Sequence, residues 1–244
     1  MGGPDRRAAA LAAGDATAPG APAPDDPRPP ARVGGLVLAA GGGRRFGSPK
    51  QLALLDGLPL LEHALLAMAT AKRVGHTVVV LGCHADEILA RVELHGAEPV
   101  ICAGWEEGQA ASLRAGLQAL AAASDAIVVT LGDQPAIDAR AIDRVVNARD
   151  GVSAAVRAAY GGRPGHPVLI EHELFERVAG LEGDEGARRL LSGVAVALVD
   201  CDGLGDDGDV DTVEQLRVTA GGLSSPSRSA APRRAPSAPR SPQP

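Results

Sequence analysis

Residues 36–50, LVLAAGGGRRFGSPK, constrain this chain more tightly than any other stretch. An apolar run breaks into three consecutive glycines, turns basic, and ends at Gly47-Ser48-Pro49-Lys50. The pattern predicts a buried strand that opens abruptly into a cationic loop. Such a loop suits a phosphate, because glycines let backbone N–H groups face an anion unobstructed while Arg44, Arg45 and Lys50 supply positive charge. Spacing excludes two familiar phosphate loops. A Walker A loop places Lys directly after its last glycine, whereas Ser48 and Pro49 intervene here. The dinucleotide fingerprint fails because Phe46 stands where the third glycine after Gly41 and Gly43 belongs.

Composition marks out how much chain is available to fold around that loop. Residues 1–31 are mostly Ala, Pro, Gly, Asp and Arg, and residues 221–244 are Ser, Pro, Arg and Ala. Neither stretch has enough apolar surface to offset its ordering entropy, so both are expected to be disordered tails around one α/β domain at 32–220. Aromatic residues make up 2% of the chain, so the core is expected to be aliphatic and stacking on aromatic platforms is not expected. A net charge of −6 argues against nucleic acid as the partner, the Arg-rich C-terminal tail reading as solvated chain. Leu11 is the only large aliphatic residue before Asp26, so no secretory signal is expected, and no run is long enough to span a bilayer. Cys83, Cys102 and Cys201 are scattered and odd in number, which suits buried thiols in a reducing cytoplasm.

Periodicity then lays out alternating strands and helices. Strands are predicted at 36–39, 77–81, 98–102, 125–131, 153–160, 168–170 and 194–199. Helices are predicted at 58–72, 85–94, 109–123, 138–149, 172–179, 184–191 and 213–218. Continuous rather than alternating apolar strands separated by helices predict a mostly parallel sheet covered on both faces. Gln109 and Ser112 fall in the opening turn of one helix, where they either meet a ligand or are satisfied locally. Asp133 stands one residue past the strand at 125–131, after Gly132, and points to the same sheet edge as the glycine loop. Alone it would read as a turn residue or a cap for the next helix. Beside a basic glycine loop, it suggests phosphate plus Mg²⁺. His166, between Gly165 and Pro167, either positions a substrate or bonds a carbonyl. The 209–212 stretch, Asp-Val-Asp-Thr, offers a further carboxylate.

Taken in order, LAAGGGRRFGSPK, GQAASLRAG, GDQP, GHPV, GDEGAR and DVDT resemble the molybdenum cofactor cytidylyltransferases within the MobA-like nucleotidyltransferases. The first motif is shared by many sugar and cofactor nucleotidyltransferases; GDQP, GHPV and GDEGAR narrow it. The resemblance implies a three-layer α/β/α Rossmann-like nucleotidyltransferase fold and transfer of CMP from CTP to molybdopterin cofactor, with a molybdenum hydroxylase as recipient of the product. It implies that Leu38, Ala39, Ala40, Gly41 and Gly82 lie against the nucleotide and that Arg45 and Lys50 hold its phosphates. It further implies Mg²⁺ on Asp133 and Asp211, Gly108, Gln109 and Ser112 near the nucleotide or the incoming cofactor, and His166 facing the acceptor. Three positions depart from the family pattern: Gly43 for Ser, Phe46 for Met and Val213 for Pro. None removes a charge. Three other functions compete: guanylyl or other nucleotidyl transfer to a different phosphorylated acceptor, a nicotine blue oxidoreductase using flavin or NAD(P)H, and a non-catalytic cofactor carrier.

Overall fold

The computed structural model describes residues 32–43 and 46–223. Arg44 and Arg45, including the expected phosphate contact of Arg45, lie outside the described residues, as do 1–31 and 224–244. The chain begins with β1 (Val33–Ala39), a short hairpin of β2 (Leu54–Leu55) and β3 (Leu58–Pro59), α1 (Leu60–Thr70), β4 (Thr77–Leu81), α2 (Ala85–Arg91) and β5 (Glu98–Ile101). It continues through α3 (Gln109–Leu120), β6 (Ala126–Leu131), α4 (Ala139–Asn147), β7 (Ala155–Tyr160) and β8 (Arg163–Glu171). After these come α5 (Phe175–Ala179), α6 (Ala187–Leu190), β9 (Val196–Asp200) and α7 (Val213–Leu223).

Seven strands form one sheet in the order β5-β4-β1-β6-β8-β7-β9. Neighbours are parallel except around β8, which runs antiparallel to both β6 and β7. Successive side chains of a strand face opposite ways, so a strand covered on both faces must be apolar throughout. Strand β4 shows the consequence. Val79 and Leu81 join Leu61 and Leu65 of α1, Ile88 of α2 and Ile142 of α4 on one face. Val78 and Val80 join Leu113 and Leu117 of α3 and Val178 of α5 on the other. The mostly parallel three-layer architecture expected from the alternating pattern is therefore the one observed.

The winding order decides where a ligand fits. From β1 the chain moves outward to β4 and β5, then crosses back through α3 to lay β6 on the opposite side of β1. The loops that leave the carboxyl ends of β1 and β6 therefore lie side by side at this reversal, with α1 and α4 packed together on one face and α3 on the other. The two strand ends stay tied together, since Gly132 N–H donates to the Leu38 carbonyl at 2.9 Å.

Several predicted boundaries move. The expected loop at 161–167 is mostly strand: Tyr160 pairs with Arg163 across Gly161 and Gly162, which have φ of 56° and 75°. Two residues at positive φ make the tight hairpin turn that matches strand twist, and Gly-Gly supplies it without strain. The prolines of β8 fit because the register shifts between Arg157 and Ala159. The helices predicted at 85–94, 138–149 and 184–191 are shorter than expected, and α7 runs to Leu223. Cys102 and Cys201, each just past a strand, are buried as expected, but Cys83, in the loop beyond β4, is exposed. Among the described residues, no helix is long and apolar enough to cross a membrane.

Leu36 is fully buried in the layer beneath α3. Leu36→Ala should lower unfolding free energy by about 2–5 kcal/mol, the range for a core leucine that leaves a cavity. Urea unfolding followed by far-UV circular dichroism measures it.

Candidate active site

A cavity of about 400 Å³ opens at the reversal point. Leu38, Ala39, Ala40 and Gly41 from the end of β1, Lys50, Gly108, Gln109 and Ser112 around the start of α3, and Asp133 all line it. The resemblance implied eight of these at a nucleotide and Asp133 at its metal ion, and the fold brings all nine to one space. Gly82 does not line it. Asp211 reaches the site through Lys50, and His166 lies elsewhere.

The glycine loop owes its shape to a residue the sequence did not single out. Gln51, 4% exposed, donates through Nε2 to the carbonyls of Ala39 at 2.9 Å and Gly41 at 2.7 Å. Cys83 N–H donates to the carbonyl between them, that of Ala40, at 3.4 Å. In a trans peptide the next N–H points opposite to the carbonyl, so holding these oxygens sets the direction of the N–H groups of residues 40–42. Gly43 turns the chain at φ 59°, a conformation that disfavours the serine usual in the family. Phe46, in place of the usual methionine, packs under the β2–β3 hairpin with Leu55, Leu60 and Val210.

Lys50 opens a short turn, Lys50–Leu52, after Pro49. Its Nζ donates to Asp133 Oδ2 at 2.5 Å and to Asp211 Oδ1 at 3.0 Å. Lys50 and Asp133 are 15% and 21% exposed and Asp211 is 41% exposed, so water screens the inner pair less. Burial pulls the Lys50 pKa down, but the charge and hydrogen bond of Asp133, with those of Asp211, outweigh it and hold it above the ordinary lysine value. Asp133 is not the cap of α4, because Asp138 fills that role by accepting from Arg140 N–H at 2.7 Å. Its Oδ1 is buried with no partner among the described residues.

A third carboxylate stands close by. Gln134, 3% exposed, donates through Nε2 to Asp209 Oδ1 at 2.7 Å and to the Asp207 carbonyl at 2.9 Å, while Val210 N–H donates to the Asp133 carbonyl at 2.9 Å. These bonds clip the 207–211 loop onto the end of β6. Burial and then the neighbouring charge of Asp133 raise the Asp209 pKa above the ordinary carboxylate value. Asp133 and Asp211 bond the Lys50 ammonium, Asp209 lies beside them, and the buried Oδ1 of Asp133 is of the oxygen type that could hold a divalent cation.

The opposite wall is the start of α3. Ser112 is 5% exposed there. Gly108, at φ 111°, leaves no room for a Cβ, which would fall 2.4 Å from the Gly183 carbonyl. Ala110 N–H donates to that carbonyl at 3.0 Å, and Gly186 presses on Gln109. The GDEGAR motif thus lies over the helix start and brings Asp184 into the cavity wall. Trp105, Glu106 and Asp184 also line the cavity, and the sequence assigned none of them to the site. No spacing rule reveals them, because they come from loops joined only by the fold.

His166 sits on β8, beside the Gly165 carbonyl that accepts from Arg157 Nε at 2.9 Å. It is outside the cavity lining. Burial, aided by the positive charge of Arg157, pushes its pKa down to about 4.

A lysine held by aspartates, a clamped glycine loop and a helix start, converging at the crevice of a parallel sheet, make this an α/β enzyme that handles nucleotide phosphates. The model of the MobA-like NTP transferase domain matches residues 35–200, and the chain belongs to that nucleotidyltransferase family. The nicotine blue oxidoreductase of Paenarthrobacter nicotinovorans is 36% identical over 194 residues, covering 75% of this chain and 94% of that protein. The purine catabolism protein PucB of Bacillus subtilis is 34% identical over 197 residues, covering 74% and 92%. The crystal structure of Rv0371c from Mycobacterium tuberculosis H37Rv aligns with a TM-score of 0.72 at 30% identity, over 78% of this chain and 98% of that one. Its manganese complex aligns at 0.66 and 26% identity over the same shares.

Two outcomes test this geometry. Gln51→Met strands the buried carbonyl of Ala39 and frees that of Gly41, so unfolding free energy should fall by about 1–3 kcal/mol, measured by chemical denaturation. For His166, the unfolded imidazole titrates near 6.5 and the folded one near about 4, so between those values the unfolded state binds the extra proton. Stability from this group should be complete above about pH 6.5 and decline as pH falls toward about 4. Thermal midpoints across that window should decline less steeply in His166→Gln than in the native protein.

Proposed function

We propose that this chain transfers CMP from CTP to the phosphate of molybdopterin cofactor and releases pyrophosphate. Membership of the family implies an NTP substrate. The observation that carries the catalytic part is the Lys50 ammonium seated between Asp133 and Asp211 in the wall of a glycine-loop cavity. The order and content of the GDQP, GHPV and GDEGAR motifs support the choice of cytidylyl transfer to this acceptor.

The chemistry follows from charge. An oxygen of the acceptor phosphate forms a new bond to the α-phosphorus of CTP, the α–β bridging bond breaks, and pyrophosphate leaves with its electrons. An acceptor phosphate is already anionic, so no base is needed to remove a proton. The difficulty is to bring anions together and to hold the charge that builds on the leaving group. Lys50 bears on that charge from the loop side, and the N–H groups of the glycine loop and of the α3 start provide further donors. Asp133 and Asp211 would hold Mg²⁺, with Asp209 beside them, and the ion when bound would neutralise triphosphate charge. The manganese complex of Rv0371c supports a divalent cation in this family.

The experiment is a panel of CTP, GTP, UTP and ATP with Mg²⁺ and molybdopterin cofactor, scored by pyrophosphate release. CTP should lead, and Asp133→Ala should abolish release while circular dichroism stays unchanged. Lys50→Ala should slow it on the order of a hundredfold, the size of one preorganised electrostatic donor. Equal turnover with GTP would replace the cytidylyl assignment, and full activity of Asp133→Ala would remove that residue from the mechanism.

A second reading is favoured by the name of the 36% identical relative, a nicotine blue oxidoreductase. It requires flavin or NAD(P)H, and bound flavin would show as absorbance near about 450 nm in the purified protein.

A further inference from the structure

The chain has one tryptophan, Trp105, in the short turn Trp105–Glu107 between β5 and α3. Its indole lines the cavity, and the backbone that carries it is pinned on both sides. Trp105 N–H donates to the Cys102 carbonyl at 3.2 Å, and Gly108 N–H donates to the Trp105 carbonyl at 3.2 Å. Two glycines make room for the ring. A Cβ on Gly82 would fall 2.5 Å from the Ala40 carbonyl oxygen, 2.7 Å from Trp105 Cβ and 2.8 Å from Cγ. A Cβ on Gly42 would fall 3.3 Å from Cζ3 and 3.4 Å from Cη2. The indole therefore lies along the backbone from the β4 loop to the glycine loop, close against both.

The other side chains around it are mainly of a different kind. Lys50, Asp133, Glu106, Gln109 and Asp184 suit charged or hydrogen-bonding groups, whereas Trp105 offers the one rigid aromatic surface in the cavity lining. A nucleotide has both kinds of surface, an anionic triphosphate and a flat heteroaromatic base. We propose that Trp105 is the platform on which the nucleobase of the NTP stacks, and that Gly42 and Gly82 are small in order to seat it. This rests on the reading that the cavity holds a nucleotide. It assigns Gly82 an indirect part in nucleotide binding, through the indole that covers it. It also makes the base site tolerant, since every base has a π face, and leaves base choice to the hydrogen-bonding groups around it.

Trp105 also packs against the core layer under α3, so the test must separate stacking from covering the core. Trp105→Leu keeps apolar bulk and removes the aromatic face, and Trp105→Phe restores one. Calorimetric titrations with Mg²⁺-CTP and Mg²⁺-tripolyphosphate, on the native protein and both variants, give the readout. Trp105→Leu should weaken CTP by about fivefold or more, the low end of base–aromatic stacking, while tripolyphosphate changes less than about twofold. Trp105→Phe should recover most of the CTP affinity. In the native protein, CTP should quench the fluorescence of this single indole and tripolyphosphate should not. Equal weakening of both ligands, or of neither, in Trp105→Leu would overturn the stacking role while leaving the nucleotide reading standing. If the native protein binds neither ligand, the nucleotide reading fails and the stacking role with it.

Discussion

Strands β1 and β6 lie side by side in parallel, and the bond from Gly132 N–H to the Leu38 carbonyl extends that pairing past the end of β6. Everything chemical in this molecule hangs on that contact. It places the glycine loop, which follows β1, beside Asp133, which follows β6, although 83 residues separate Lys50 from Asp133 in the chain. Parallel pairing requires crossovers, and the crossovers here put apolar helices on both faces. The hydrophobic layers around the sheet thus hold the two strand ends rigid, and the polar groups at their tips inherit that rigidity.

What those tips collect is an unbalanced charge cluster. Asp133, Asp209 and Asp211 converge, the last two because Gln134 and the Asp133 carbonyl draw the 207–211 loop inward. Lys50 answers only part of that charge. Partial burial makes the imbalance count for more than it would in open water. The glycine loop provides the complementary half, since its carbonyls are taken up by Gln51 and Cys83 and its N–H groups are left to face the other way.

The parts of the site that were legible in the sequence share one property: each lies at or just past the end of a strand or at the start of a helix. Leu38–Gly41 stood out because a buried apolar run ends there in glycines, Asp133 because it follows such a run by one glycine, and Gln109 and Ser112 because a helical period begins there. Gln51, Trp105 and Asp184 carry no such mark. Gln51 looks like a helix residue and acts as a clamp, while Trp105 was passed over because so few aromatics argued against any stacking surface. A scarcity of aromatics describes the chain as a whole, whereas one indole suffices when two glycines seat it. The 161–167 segment was misplaced for a related reason: its glycines and prolines signal a break, and only the register with β7 turns that break into a hairpin.

By itself, the amino-acid sequence determined the alternation of buried strands and helices, the cationic glycine loop and the identity of the acids able to stand beyond the strands. These are local matters, settled by hydrophobic period, backbone freedom and charge. Tertiary structure alone decided that β6 would return beside β1, that Lys50 would lie between Asp133 and Asp211, and that Trp105 would rest on Gly42 and Gly82. Those facts depend on strand order and close packing between distant segments, and short-range pattern carries no information about which segments become neighbours.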